Sequence, residues 1–319
     1  MSVRVRSPHA RILGLGDYRP SRVVTNDELA ETIDTSDTWI RSRTGIGSRH
    51  VAAPDDTVVS MAVEAGRKAL AASRLSADSI DVVILATCSI PRAIPGGASM
   101  VAELLGCASP AAFDLNSACS GFCHGLEVAA SLVCRGSARH VLVVGSERFT
   151  ADWIDWEDRG VCVLFGDGAG AATVGPSSEP DIGPVVWGSD GSGARFIAVP
   201  DGDWAIRMDG RNVYRWAMTH VAPLARHVCD EAGVRPADLA AIVPHQANLR
   251  IVEAVARTVA SHGAVVATDV VDTGNTSAAS VPLALSRLVR EQQVSSGDLV
   301  LLLAFGAGLS WAGQVVRMP

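Results

Sequence analysis

The 319-residue chain contains no C-x-x-C pair, no His/Cys cluster with zinc spacing and no run of Lys or Arg. Each absence removes a class of function. Seven cysteines, at 88, 107, 119, 123, 134, 162 and 229, are scattered and odd in number. That pattern argues against a disulfide framework and against a zinc site, and a reducing cytoplasm is the expected compartment. A net charge of −7 with no basic stretch argues against nucleic acid as the partner. The start, MSVRVRSPHA, carries charge but no apolar core, so no secretory signal is expected there. The most apolar stretch, LVLLLAFGAGLSWAG (299–313), falls short of the roughly 18 residues a spanning helix needs and is broken by glycines. It reads as a buried strand and turn, with no membrane contact. Dinucleotide and phosphate fingerprints are also missing. GLG at 14–16 lacks a third glycine, and GDGAGA at 166–171 lacks a Lys-Ser/Thr ending and reads as a tight hairpin.

What is present is repetition. A chain of this length with 48% hydrophobic residues can bury roughly three-quarters of its unfolded surface, as one large domain or two fused ones. The first half reads as helix (VVSMAVEAGRKALAAS), strand (DVVILATCS), helix (GASMVAELLG), strand (AAFDLNS), a helix from Cys119, strand (HVLVVGSER) and the glycine-rich hairpin VLFGDGAGAATVG. The second half repeats the order. It has a helix (VYRWAMTHVAPLARHVCDEAG), a strand (LAAIVPHQA), a helix (LRIVEAVARTVA), a segment ending GNTSAAS, the helix VPLALSRLVREQ, and the runs LVLLLAF and LSWAGQVVRM. Strands alternating with helices imply largely parallel sheets covered on both faces. Two stacked copies predict an α/β five-layer αβαβα sandwich. Residues 1–176 would form one half and 177–319 the other, with the seam in the Pro/Gly/Ser-rich 174–184.

NSACSGF (116–122) places Cys119 at the expected first turn of a helix, among small residues that would let a carbonyl approach the sulfur. Helix dipole and free N–H groups there favour a thiolate, and hence an activated nucleophile beside an oxyanion hole. The competing reading is an inert core cysteine. In the second half, VPHQANLR sets His245 just after an apolar strand, and DTGNTSAAS sets Asn275 in a turn before a helix. Alone, His245 reads as a satisfied structural residue and Asn275 as a turn former. Together, all three occupy C-terminal ends of strands, where open α/β sheets bind ligands. A pseudo-twofold relation between the halves would bring them together.

NSACSGF, VPHQANLRI, DTGNTSAAS and FGAGLSWAG resemble the signature segments of β-ketoacyl-acyl-carrier-protein synthase III, the initiating condensing enzymes of the thiolase fold. The resemblance extends to VVTNDELAETIDTSDTWIRSRTGIGSRH and EDRGVCVLFGDGAGAA, and is strongest to actinomycete fatty-acid and aromatic-polyketide priming enzymes. It implies Cys119, His245 and Asn275 as a catalytic triad. An oxyanion hole would be formed by the N–H groups of Cys119 and Ala307, the latter standing where relatives usually have glycine. The implied reaction loads an acyl group from acyl-CoA onto Cys119. It then condenses that group with malonyl-acyl-carrier protein as carbon dioxide leaves, with no metal and no cofactor beyond CoA thioesters as substrates. CoA and pantetheine contacts would fall on Thr35, Trp39, Arg43, Arg159, Gly210 and Asn248, and the carrier-protein contact on Arg250. Without the resemblance, Trp39 reads as a half-buried helix residue and Arg43 as a solvated charge. The resemblance also implies a homodimer.

The acyl pocket would include Ile94, Phe149 and Phe165. Ile94 stands where some relatives reach across the dimer with phenylalanine, and 190–210 is shorter than in close relatives. Both departures bear on the starter group, for which room beyond acetyl is expected. Two rival functions remain: an acyltransferase that uses Cys119 without condensation, and a non-catalytic partner subunit. The intact trio disfavours both.

Overall fold

A computed structural model describes residues 8–92, 94–259 and 263–319. Two five-stranded sheets organise it. The first runs His9–Tyr18, Gly168–Ser177, Val141–Glu147, Val82–Ala86, Ala111–Leu115, with two antiparallel junctions followed by two parallel ones. The second runs Val186–Ser189, Ser310–Arg317, Leu299–Gly306, Leu239–Pro244, Val265–Val266, with the same succession of directions. Numbered along the chain within each half, both sheets read 1-5-4-2-3. The duplicated halves are therefore a topological identity and not only a rhyme of elements.

Continuous apolar strands are what a sheet buried on both faces requires. Val82, Ile84, Val141, Val143, Val300 and Leu302 face the central layer, against the helices Gly121–Cys134 and Ser280–Arg290. Their neighbours Val83, Leu85, Leu142 and Val144 face outward, onto helices Val58–Ser73 and Gly97–Leu105. Leu301 and Leu303 face outward on the other side, onto Ala222–Glu231 and Leu249–Val259. Helices, sheet, helices, sheet, helices make the five layers of the thiolase-like fold.

Three details differ from expectation. GDGAGA is not a tight hairpin: Gly168–Ser177 is one long strand, antiparallel to both His9–Tyr18 and Val141–Glu147, and the second connection runs through residues 148–167. The opening strand of each half, His9–Tyr18 and Val186–Ser189, was not legible. In HARILGLGDY the glycines break the apolar pattern, and close packing is the reason for them. A Cβ on Gly16 would lie 2.2 Å from the Ala65 carbonyl oxygen of the covering helix. The expected long helix over 213–233 comprises Gly210–Trp216, a π-helical stretch Ala217–Val221 and Ala222–Glu231. Pro223 lacks the N–H a regular ladder would need. Ala260, the last residue of the expected helix 249–260, lies outside the described residues. Among the described residues no helix is long and apolar enough to cross a membrane, and no group of His, Cys, Asp and Glu could hold a metal ion.

Candidate active site

In the middle layer the turns Ala118–Ser120 and Ser277–Ala279 meet each other, the first against strand Leu299–Gly306 and the second against strand Val141–Glu147. Cys119 lies in the 3₁₀ turn Ala118–Ser120, immediately ahead of helix Gly121–Cys134. His245 follows strand Leu239–Pro244, its backbone N–H bonded to the Leu303 carbonyl at 2.8 Å and its ring edge-on to Phe305. Asn275 is pinned by strand-like bonds to the first half: its N–H donates to the Leu164 carbonyl (2.8 Å), and its carbonyl accepts from Gly166 N–H (3.0 Å). All three line one cavity of about 320 Å³, together with Asn116, Ala118, Phe149, Phe165, Gly210, Asn248, Gly306 and Ala307. Its remaining walls are largely apolar, among them Trp153, Leu164, Ile206, Met208 and Val213.

The hydrogen bonds fix what each group offers. His245 is buried, and burial lowers its pKa to about 3, so the ring is neutral. Its Nδ1 lies 2.7 Å from Ser280 Oγ, which also accepts from the Gln246 N–H. A Ser280 hydroxyl that gives its proton to Nδ1 leaves Nε2 as the protonated nitrogen, facing away from that serine. Asn275 Oδ1 accepts from Ser277 N–H at 2.9 Å, while Nδ2 has no partner among the described residues. The amide therefore presents a donor. Imidazole and amide offer two neutral N–H groups to the same cavity, the equipment for stabilising a developing oxyanion.

Cys119 departs from expectation. The cavity reaches it, yet burial pushes its thiol up to about 12. The nearby Ser277 side chain pulls the value down, and the charge of Glu147 raises it further. Burial and the Glu147 charge both work against the thiolate expected from a helix tip. Burial of a would-be anion beside a carboxylate outweighs the helix start. Gly306 lies directly against it: a Cβ there would sit 2.7 Å from Cys119 Cβ.

The other expected residues are distributed around this centre. Phe149 and Phe165 stack at 4.9 Å in the cavity wall. Ile94 does not join that wall; it is 87% exposed, because it sits in the turn before helix Gly97–Leu105 and projects from the chain. Thr35, Trp39, Arg43 and Arg159 lie outside the cavity lining. The indole of Trp39 carries the guanidinium groups of Arg43 (4.3 Å) and Arg159 (4.6 Å), so its ring faces two cations. Asn248 joins this cluster to the cavity by donating to the Arg43 carbonyl (3.0 Å). Arg250 is exposed over the Tyr214 ring. Thr35 Oγ1 is buried without a hydrogen-bond partner among the described residues. Sequence reasoning missed Cys88, Glu147, Ser277 and Ser280. The serines sit in a Gly/Ser/Thr turn that reads as turn chemistry, and Glu147 ends a strand whose first four residues are apolar.

Comparison with known proteins agrees with the sequence signatures. The family model described as 3-oxoacyl-[acyl-carrier-protein] synthase III matches residues 113–191, and the model for its C-terminal part matches 229–318. A β-ketoacyl-[acyl-carrier-protein] synthase III from Streptomyces coelicolor is 48% identical over 97% of this chain and 99% of its own. The mycobacterial synthase III of Mycobacterium marinum is 46% identical over 97% and 95%. Among solved structures, the priming β-ketosynthase of the R1128 polyketide pathway superposes with a TM-score of 0.96 at 45% identity, covering 100% of this chain and 99% of that one. The 3-oxoacyl-[acyl-carrier-protein] synthase III of Aquifex aeolicus gives 0.92 at 39%, covering 97% and 99%.

Proposed function

This chain belongs to the 3-oxoacyl-[acyl-carrier-protein] synthase III family of initiating condensing enzymes, and on that premise we propose how its residues divide the work. An acyl group passes from CoA to Cys119 Sγ. The oxyanion formed in that step is held by the N–H groups of Cys119 and Ala307, each donor contributing roughly 3–4 kcal/mol. Malonyl-acyl-carrier protein then enters, and His245 and Asn275 donate to its thioester carbonyl while carbon dioxide departs. The resulting enolate attacks the acyl carbon on Cys119 and gives the β-ketoacyl-carrier product. The observation that carries this reading is the convergence of one thiol and two neutral N–H donors on a single apolar cavity.

For CoA, the Trp39–Arg43–Arg159 cluster supplies a ring and two cations, suited to a base and to phosphates once Arg159 turns away from the indole. Arg250 offers an exposed cation to an acidic carrier protein. A homodimer fits the free edge strand Ala111–Leu115, with Phe113 40% exposed, and the projecting Ile94 nearby in the chain would then face the partner's acyl pocket. The starter is larger than acetyl, short or branched, and the working compartment is the cytoplasm. Neither a metal nor a resident cofactor enters the scheme.

Intact-protein mass spectrometry after exposure to a panel of acyl-CoAs, followed by carboxyl-labelled malonyl-carrier, tests the scheme. Acyl mass on Cys119 and release of labelled carbon dioxide with product are expected. Acyl transfer to an acceptor without carbon dioxide release would establish the acyltransferase reading instead. An Ile94→Phe variant should shift the preferred starter toward shorter chains; an unchanged preference would remove Ile94 from specificity.

A further inference from the structure

Behind the cavity, Glu147 closes strand Val141–Glu147 with no exposed surface. Its carboxylate meets only donors. Oε2 accepts from Thr87 Oγ1 (3.1 Å) and Ser89 Oγ (2.5 Å), and Cys88 N–H reaches both oxygens. Oε1 accepts from Ser277 Oγ (3.0 Å), Ala278 N–H (3.4 Å) and the Cys88 thiol (3.4 Å). No cation forms an ion pair with it among the described residues. A carboxylate kept in such a place, touching both halves of the molecule, is costly unless it is used or fully satisfied.

Ser277 links it to the reaction. Its hydroxyl donates to Glu147 (3.0 Å), its turn Ser277–Ala279 packs against the turn Ala118–Ser120 that holds Cys119, and Ser277 and Cys119 both line the cavity. Resting on the reading of Cys119 as the acyl acceptor, we propose that Glu147 takes the Cys119 proton through the hydroxyl of Ser277 and holds it while the enzyme is acylated. The Cys119 S–H proton passes to Ser277 Oγ as the Ser277 proton passes to Glu147. Sulfur attacks the thioester carbon, the C–S bond to CoA breaks, and the CoA thiolate takes a proton from solvent. When the enolate attacks acyl-Cys119 and releases the thiolate, Glu147 returns its proton along the same path. The cycle closes with one solvent proton consumed, which ends on CoA.

The chemistry of the neighbours agrees. Burial raises the pKa of Glu147, giving the carboxylate proton affinity an exposed one lacks. His245, with its pKa near 3, is a poor base and is already hydrogen-bonded to Ser280. The other titratable groups facing Glu147 are the thiols of Cys88 and Cys119. Cys88 stays protonated, its pKa raised well above the ordinary value by burial and then by Glu147 itself. In this arrangement Glu147 is a positioning and proton-holding residue that never touches substrate.

The test follows the rate of Cys119 alkylation by iodoacetamide from pH 6 to pH 10, read on the Cys119 peptide by mass spectrometry, in the wild type, Glu147→Gln and Ser277→Ala. Each variant should lose about a hundredfold at neutral pH, with the rising limb displaced to higher pH, and malonyl-carrier decarboxylation should persist. A Glu147→Gln profile superimposable on wild type overturns the proposal, as does a parallel loss of alkylation and decarboxylation with an unmoved limb, the mark of a structural role. Unchanged alkylation in Ser277→Ala overturns the route through that hydroxyl. Acyl-CoA loading is measured separately. If wild-type Cys119 takes no acyl group while its alkylation depends on Glu147, the assignment of the acyl acceptor fails and not the relay.

Discussion

NSACSG at 116–121 and NTSAAS at 275–280 each lead into a central helix, the first directly from strand Ala111–Leu115, the second from the short helix Val270–Thr273, so that Asn275 does not occupy the strand end expected for it. Their backbones are nearly the same object. Asn116 and Asn275 each accept from the N–H two residues on, at 3.1 and 2.9 Å. The next cap residues, Ala118 and Ser277, have φ of 44° and 47°, a conformation non-glycine residues seldom adopt. A 3₁₀ turn follows in both. The side chains differ where it counts: Ala118, Cys119 and Gly121 in one, Ser277, Ala278 and Ser280 in the other. The strand ends that face them differ too. Gly306 makes room for Cys119, whereas Glu147 bonds the Ala278 N–H and Ser277. One duplicated turn has become the carrier of the sulfur. Its twin has become the carrier of an amide and two hydroxyls.

Removing the sulfur should break this division most completely: Cys119→Ala is expected to abolish acyl loading by intact mass while malonyl-carrier decarboxylation by His245 and Asn275 continues. Next in size is His245→Ala, which should cost about 10²–10³ in condensation with loading retained, measured by labelled carbon dioxide release. Gly306→Ala tests the space allotted to the first turn. The added methyl must displace Cys119, and loading should fall about a hundredfold with little change in decarboxylation. Ser280→Ala frees the His245 ring and should lower decarboxylation by about tenfold, leaving loading intact. The smallest effect concerns pH. Because His245 stays neutral down to about pH 3, decarboxylation in Cys119→Ala should carry no imidazole titration near pH 6.5. Sign matters for stability as well: between about 6.5 and 3 the unfolded chain binds a proton at His245 that the folded chain refuses, so stability falls as pH drops through that window. Chemical denaturation at pH 7 and pH 5 reads it.

Much of this was legible in the residues. VVILA and VLVV announce strands buried on both faces because every position is apolar, and the signature segments carry Cys119, His245 and Asn275. The opening strands were not legible because glycines interrupt them for packing reasons that only the neighbours explain: the covering helix for Gly16, the Trp311 ring of the adjacent strand for Gly188. Charge state was the larger miss. A cysteine at a helix start reads as a thiolate when only the helix is in view, and burial between two halves reverses the sign. Ser277, Ser280 and Glu147 were invisible for the same reason: their partners lie 35 to 130 residues away.

The most direct measurement uses Asn275→Asp, which keeps the oxygen that caps the turn and removes the amide donor. Pre-loaded with acyl-CoA and then mixed with malonyl-carrier, the variant should hold its acyl group on Cys119, with condensation slowed by about 10²–10³ while loading proceeds. An acyl-enzyme consumed at the wild-type rate would contradict the assignment of the second turn.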